Sequence, residues 1–134
     1  MKSIQLAVNG TLMRGLELNE NMLQAGAEFV REDRSSADYR IYSIYDKHPA
    51  MHRVPSGGAE IALEIWNVPA EGLAQILEQE PPGLCIGKVG LADGSIVLGV
   101  LGEQHLCESG KDITEYGGWR AYVAERDSPP TRPD

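Results

Sequence analysis

Short apolar segments separated by glycine, proline and polar residues run along most of the chain, and their spacing predicts strands with a few short helices. Residues 3–8 (SIQLAV) are aliphatic and end at Asn9-Gly10, which predicts a buried strand. Apolar and polar positions alternate in three further segments, and this period of two predicts strands. These segments are residues 27–32 (AEFVRE), 38–46 (DYRIYSIYD) and 59–66 (AEIALEIW).

Two segments have the spacing of short helices. Residues 18–29 (LNENMLQAGAEF) predict a helix capped by Asn19 and closed near Gly26. Residues 68–80 (VPAEGLAQILEQE) predict a second helix that begins near Pro69. This helix must end before Pro81-Pro82-Gly83, because proline cannot continue it.

The turns complete an α+β prediction. Residues 84–103 predict a hairpin around Asp93-Gly94, a dipeptide typical of tight turns in which both central residues have positive φ. Residues 46–59 (DKHPAMHRVPSGGA) contain proline, serine and paired glycine and predict a loop. We therefore expect a small curved mixed sheet or partial β-barrel with short flanking helices, formed by one domain over residues 1–124, and a disordered tail over residues 125–134.

Composition and charge narrow the range of partners. The formal net charge is −8, and an acidic chain repels nucleic acid and anionic membranes. No apolar stretch reaches the ~20 residues that cross a bilayer, and the amino terminus lacks the pattern of a signal peptide. We expect a cytoplasmic protein without nucleic-acid or membrane partners. Cys85 and Cys107 lie in apolar, strand-like segments, which predicts buried reduced thiols.

Several kinds of reactive site find little support. His48 and His52 are four residues apart, but Pro49 and the loop composition disfavour the helix that a zinc pair at this spacing needs. His105 and Cys107 alternate in a strand-like segment and also lack further ligands. No nucleophile elbow, phosphate-binding loop or dinucleotide fingerprint occurs, so we expect neither a metal nor another cofactor.

Carboxylates at the end of the second predicted helix are candidate acid–base groups. Glu78 and Glu80 precede the double proline, where the helix dipole disfavours negative charge and tends to raise a carboxyl pKa. A carboxyl that also faced a cavity could act as a general base. The alternative is a solvated helix end, which residue chemistry alone favours.

Residues 115–122 (EYGGWRAY) combine paired glycine with aromatic side chains and one arginine. An arginine among aromatic rings suits a ligand that carries a carboxylate. It suits equally a structural arginine stacked on tryptophan and paired with an internal glutamate. Similarly, residues 8–15 (VNGTLMRG) fit either a tight turn or a loop that presents backbone N–H groups to a ligand.

These segments, in this order, resemble the C-terminal domain of allophanate hydrolase. The resemblance spans roughly residues 5–123, and its most specific parts are IGKVGLADGS and DITEYGGWRAY. It implies the γ-glutamylcyclotransferase-like fold, in which the loop after the first strand holds the carboxylate of the substrate on backbone amides. The matching residues are Asn9, Gly10, Thr11, Leu12 and Met13, with Asn9 in place of the tyrosine of cyclotransferases.

The resemblance also implies a function. It places Glu80 closest to the general base of the cyclotransferases and suggests Tyr116, Trp119 and Arg120 as residues that line or brace the pocket. We expect a small-metabolite enzyme or binder that holds a carboxylate or carbamate on loop 9–13. One chemistry the family suggests is breakdown of the N-carboxylated product of an amidase, which needs protonation at nitrogen.

Two other functions stay open. The domain could be a non-catalytic accessory or oligomerisation module for a separately encoded amidase-family protein, with dimerisation of the chain. It could also be a γ-glutamyl cyclotransferase, although Asn9 argues against that. The 134 residues contain no amidase domain of their own.

Overall fold

The computed structural model describes residues 3–128, which form strands and short helices. The strands are β1 (Ser3–Val8), β2 (Glu28–Arg34), β3 (Tyr39–Ile44), β4 (His48–Arg53), β5 (Ala62–Pro69), β6 (Leu84–Gly90), β7 (Ile96–Gly102) and β8 (Lys111–Asp112). The helices are α1 (Asn19–Gln24), α2 (Ala70–Gln79), α3 (Gln104–Glu108) and α4 (Trp119–Arg126), with a 3₁₀ turn at Thr114–Tyr116.

The strands form two sheets, and the larger one is strongly curved. Its order is β2-β5-β1-β7-β6, with β1 parallel to β7 and the other neighbours antiparallel. The smaller sheet has the order β4-β3-β8. The outer strands β2 and β6 meet at one end, where Ala92 N donates to Arg34 O at 2.9 Å and Ser36 N donates to Gly90 O at 2.8 Å. The predicted α+β class with a curved mixed sheet is confirmed, and the sheet does not close into a barrel.

Strand β5 lies between β2 and β1 in the larger sheet and is buried on both faces. Leu63 and Ile65 point to one side, and Glu64 and Trp66 point to the other, as the alternation predicts. The Trp66 ring meets the Phe29 ring edge to face, with centroids 5.7 Å apart. Burying an aliphatic or aromatic side chain of this size contributes about 1.5–3 kcal/mol, so β5 is a rigid support for what packs beside it.

Helix α2 forms where the sequence predicts it and is seated closely on α1. Its cap residue is Pro69, and it ends at Gln79 with Glu80 in an extended conformation ahead of the double proline. A Cβ added to Gly72 would lie 2.2 Å from the Ala25 carbonyl oxygen, so only glycine permits this approach. This contact fixes the position of the whole helix and therefore of Glu80 at its end.

The predicted loop over residues 46–59 is wrong for its first half, which is strand β4. This strand pairs antiparallel with β3 through a tight turn in which Tyr45 (φ 53°) and Asp46 (φ 57°) are both left-handed. Turns with two left-handed residues favour Asn-Gly. Tyr45-Asp46 does not match that pattern, so the hairpin cannot be recognised from the sequence. Pro49 is tolerated because β4 is an edge strand of its sheet.

Two local predictions also need correction, and a third agrees with the structure. The β6–β7 hairpin is present, but only Gly94 has positive φ at its turn, and Leu91 N donates to Ser95 O in the manner of a bulged turn. Asn19 is the first residue of α1 and does not cap it, because its side chain instead donates to Leu12 O at 2.9 Å. The closing glycine Gly26 has the expected left-handed φ of 81°.

The segment around Cys107 is helix α3 rather than a strand. Cys107 is buried, whereas Cys85 on β6 is exposed, so the burial prediction fails for Cys85. Both thiols are free. A five-residue helix shows too little of its period to be distinguished from an alternating strand in the sequence.

Helix α4 includes the first two residues of the predicted disordered tail, and residues 129–134 lie outside the described residues. Among residues 3–128, no helix combines the length and apolar character that spanning a membrane requires.

Candidate functional site

Val8 and Arg14 flank the loop after β1, and both lie beside the same residue of β5, Glu64. Val8 is the register partner of Glu64 in the β1–β5 pair. The Arg14 amide donates to Glu64 Oε1 at 3.0 Å. Residues 9–13 are therefore a short excursion that begins and ends beside a single position of β5.

In residues 10–12 of this excursion, the backbone carbonyls have hydrogen-bond donors within residues 3–128, whereas the backbone amides have no acceptor there. The carbonyls of residues 10–12 accept hydrogen bonds from the Met13 amide (3.0 Å), the Leu18 amide (3.0 Å) and Asn19 Nδ2 (2.9 Å), respectively. The backbone amides of residues 10–12 donate to no protein group within residues 3–128. Successive backbone N–H groups without a protein acceptor are typical of anion-binding loops.

Asn9 braces the loop with its side chain. It is buried, and Nδ2 donates to Val100 O on β7 at 2.9 Å. This bond ties the start of the excursion across the sheet. The Asn9 side chain thus has a protein partner, and any contact it makes with a ligand would come from its other atoms.

The loop borders a small cavity, which we call the loop cavity. Its lining comes from the loop, the start of β4, the end of α2 and the facing strands: Val8, Asn9, Gly10, Thr11, Leu12, His48, Pro49, Glu80, Leu84 and Val100. The centre of a water molecule can move through about 20 Å³ of it, within a depression of about 270 Å³ that includes the open mouth. The inner space therefore admits a small head group, while the rest of a ligand would lie at the mouth.

Close packing of Gly10 against Pro49 shapes one wall. A Cβ on Gly10 would lie 2.5 Å from Pro49 Cδ and 2.6 Å from Pro49 Cγ, which is too close for any other residue. Pro49 in turn is held in the β3–β4 hairpin. The loop glycine is thus required for a close approach between the excursion and β4.

Glu80 reaches the loop cavity from the end of α2. Its carboxyl is partly buried and has no ion-pair or hydrogen-bond partner among residues 3–128. Burial raises the pKa of the Glu80 carboxyl to about 7. At neutral pH the group is present in both protonation states, which suits a proton donor or acceptor.

His48 lines the same cavity, on the side of β4. Its Nδ1 lies 3.0 Å from Pro49 O, and a neutral imidazole that donates there keeps Nε2 as an acceptor. In the sequence, His48 stands out only as one of two histidines at a metal-ligand spacing. The hairpin that brings it beside the loop had no recognisable turn signal, so its place in the cavity could not be read from the chain.

Arg120, which the sequence suggests as a pocket residue, instead lies beside Arg14 at the end of the loop. Its Nη2 donates to Arg14 O at 2.9 Å and to Glu64 Oε2 at 3.2 Å. Arg120 is thus paired with an internal glutamate, which is the second of the two alternatives for this residue. It does not line the loop cavity.

Met13, Tyr116 and Arg120 line a separate and larger depression, which we call the α4 groove, between β2, β5 and helix α4. This groove holds about 560 Å³. Trp119 is buried and packs on the Tyr122 ring, with centroids 5.6 Å apart. The structure thus gathers residues 9–12 with Glu80 and separates them from Met13 and from the residues of α4.

Within the described part of the chain, no three His, Cys, Asp or Glu side chains are grouped to hold a metal ion. The site therefore consists of backbone amides, one carboxyl of raised pKa and one imidazole. This set can bind an anion and move a proton. It belongs to an α+β domain with a small cavity at the end of its first strand.

Comparison with known structures establishes the fold. An AIG2-like protein from Mus musculus matches with a TM-score of 0.60 at 18% identity, over 78% of each chain. Allophanate hydrolase of Kluyveromyces lactis matches with a TM-score of 0.89 at 27% identity, over 95% of this chain and 22% of that one. The chain has the γ-glutamylcyclotransferase-like fold that the resemblance implied.

The family follows from the sequence match. Residues 4–124 match the allophanate hydrolase C-terminal domain, and the chain belongs to that family. Urea amidolyase of Saccharomyces cerevisiae is 32% identical over 127 residues, and the chain spans about 7% of its length. A uropathogenic E. coli-specific protein is 57% identical, with a TM-score of 0.90 over 92% of this chain and 98% of that one.

Proposed function

We propose that the protein binds a small carboxylate or carbamate anion in the loop cavity, on the backbone amides of residues 10–12, and that Glu80 exchanges a proton with the bound ligand. The observation that carries this proposal is the one-sided hydrogen bonding of the loop. Each carbonyl of residues 10–12 has a protein donor, and none of the three amides has a protein acceptor within residues 3–128.

The cavity size supports a compact head group. Space for the centre of a water molecule is about 20 Å³, which suits the oxygens of a carboxylate with the remaining ligand at the mouth. Asn9, which stands where cyclotransferases have a tyrosine, supports a short anion rather than a γ-glutamyl substrate.

The reaction best matched to these groups is loss of CO2 from an N-carboxylated amine. Neutral Glu80 gives its proton to the nitrogen of R–NH–COO⁻, the C–N bond breaks, and its electron pair goes to nitrogen. The products are R–NH2, CO2 and the Glu80 carboxylate, which takes a proton from water to close the cycle. A carboxyl with a pKa of about 7 can do both steps near neutral pH.

Association with an amidase-family protein is a further proposal. It is supported by the curated relatives, in which the matching domain is about 7% of a urea amidolyase. The α4 groove, open and lined partly by charged side chains, is where contact with another protein could be sought first.

The proposal is tested by anion titration followed on the backbone amides. Acetate, malonate and bicarbonate are added to ¹⁵N-labelled protein at constant ionic strength, with chloride as the reference. We expect saturable shifts at residues 10–12 and a rise in melting temperature that grows with ligand concentration. Because ionised Glu80 repels an anion, affinity should fall as pH rises through 7.

Glu80→Gln supplies the matched test, with Glu78→Gln on the exposed side of the same helix as control. The Glu80 variant should bind anions at pH 8 more tightly than the wild type and should lose turnover of an N-carboxylated amine. If none of the three anions shifts the amides of residues 10–12, the proposed function is wrong. If the Glu80 variant keeps full turnover, the proton-transfer role is wrong while binding stands.

A further inference from the structure

We propose that Arg14, Glu64 and Arg120, which we call the Glu64 clamp, hold loop 9–13 in its anion-binding shape, and that Arg120 is a positioning residue. This inference rests on the proposed function, since it assigns what keeps that site in order. It gives a role to three charged residues that lie outside the loop cavity.

The Glu64 carboxylate is the fixed centre of the clamp. Its side chain is only 3% exposed, and it accepts four hydrogen bonds. Arg14 N (3.0 Å) and Trp66 Nε1 (3.1 Å) bind Oε1, and Arg14 Nε (3.1 Å) and Arg120 Nη2 (3.2 Å) bind Oε2. A buried carboxylate with all its acceptor sites occupied has one orientation, so it is a rigid anchor.

Arg14 joins this anchor to the end of the loop by backbone and side chain together. Its amide and its Nε both bind Glu64, and its guanidinium lies 3.6 Å above the centre of the Phe29 ring. The start of the loop, Val8, is already paired with the same residue of β5. The distance between the two ends of the excursion is therefore set at Glu64.

Arg120 completes the closure from helix α4. One nitrogen, Nη2, donates both to Arg14 O and to Glu64 Oε2, so it bonds simultaneously to the loop end and to the anchor. The side chain is 49% exposed. When it is removed, Glu64 keeps three of its four donors, so we expect the fold to survive while the loop end gains freedom.

The test measures acetate and malonate affinity from the shifts of the amides of residues 10–12 in Arg120→Ala, Arg120→Gln and Arg120→Lys. Arg34→Ala is the matched control, because Arg34 also lines the α4 groove but has no ion pair among residues 3–128. We expect Arg120→Ala to weaken both anions by the same factor, about 2- to 30-fold relative to Arg34→Ala. We also expect faster hydrogen exchange at the Met13 amide and partial recovery in Arg120→Lys.

The outcomes separate this proposal from the one before it. If the wild type binds anions and Arg120→Ala binds them as tightly as Arg34→Ala does, the positioning role is wrong and the proposed function stands. A loss much larger for malonate than for acetate would indicate direct charge contact and would also overturn the positioning role. If the wild type binds no anion, both proposals fail. Should Arg120→Ala not fold, Arg120→Gln, which keeps hydrogen-bond donors, carries the same comparison.

Discussion

The raised pKa of Glu80 predicts that its own carboxylate destabilises the folded protein at alkaline pH. The carboxyl faces the loop cavity without a partner among residues 3–128, and burial raises its pKa to about 7. In the unfolded chain the same group ionises near 4.5. Between these values the folded state holds the proton more tightly, so the free energy of unfolding falls as pH rises from 4.5 to 7 and stays low above it.

The size of this effect follows from the two pKa values. Each tenfold difference in proton affinity between the folded and unfolded states is worth about 1.4 kcal/mol. The rise from 4.5 to about 7 therefore corresponds to about 3 kcal/mol at pH 8. Glu80→Gln removes the ionisation, so the variant should be more stable than the wild type by up to that amount at pH 8. The advantage should shrink to near zero at pH 4.5.

Urea denaturation followed by tryptophan fluorescence at pH 4.5, 6, 7 and 8 measures this difference. Glu78→Gln removes a carboxylate of equal charge from the exposed side of the same helix and is the reference variant. The measured quantity is the stability of Glu80→Gln minus that of Glu78→Gln at each pH. If this difference does not grow between pH 4.5 and 8, the assignment of a buried, partnerless carboxyl to Glu80 is refuted.

Three further substitutions test the walls of the site and the hairpin beside it. Gly10→Ala places a Cβ 2.5 Å from Pro49 Cδ and should cost about 1–3 kcal/mol of unfolding free energy in urea titrations, with unchanged stability counting against the close approach. Asn9→Leu leaves Val100 O without its donor and should lower stability by about 1–3 kcal/mol, measured in the same way. Tyr45→Asn relieves a non-glycine left-handed residue whose ring is exposed and should raise the melting temperature, whereas a fall would contradict the strained turn.

The elements that can be predicted from the sequence are those in which a regular pattern extends over many residues. Helix α2 and strand β5 were recognisable because a regular period extends over eight or more residues in each. Strand β4 was missed because Tyr45-Asp46 adopts a turn that these residues rarely form. His48 was lost with it, since only the β3–β4 pairing brings that imidazole to the loop cavity.

The charged residues show a different limit. Arg120 was assigned to a pocket or to an internal glutamate with equal reason, and only the fold identifies Glu64 as its partner. Glu64 itself is an isolated carboxylate in an apolar strand, which the alternation assigned to the face shared with Trp66. Its role depends on contacts with Arg14 and Arg120, which are 50 and 56 residues away in the chain, and a local sequence pattern cannot predict contacts over such separations.

Because both ends of loop 9–13 lie beside one residue of β5, the shape of the loop depends on a residue far away in the sequence as well as on Asn9 and Gly10 within it. A neutral residue at position 64 would release the Arg14 end of the loop and Arg120 together, while the Val8 end would stay in place through the β1–β5 backbone pairing. A search for other proteins with this site is therefore better guided by three features together than by the loop motif alone: the loop glycine, an arginine six positions after the first strand, and a lone acidic residue in an apolar strand.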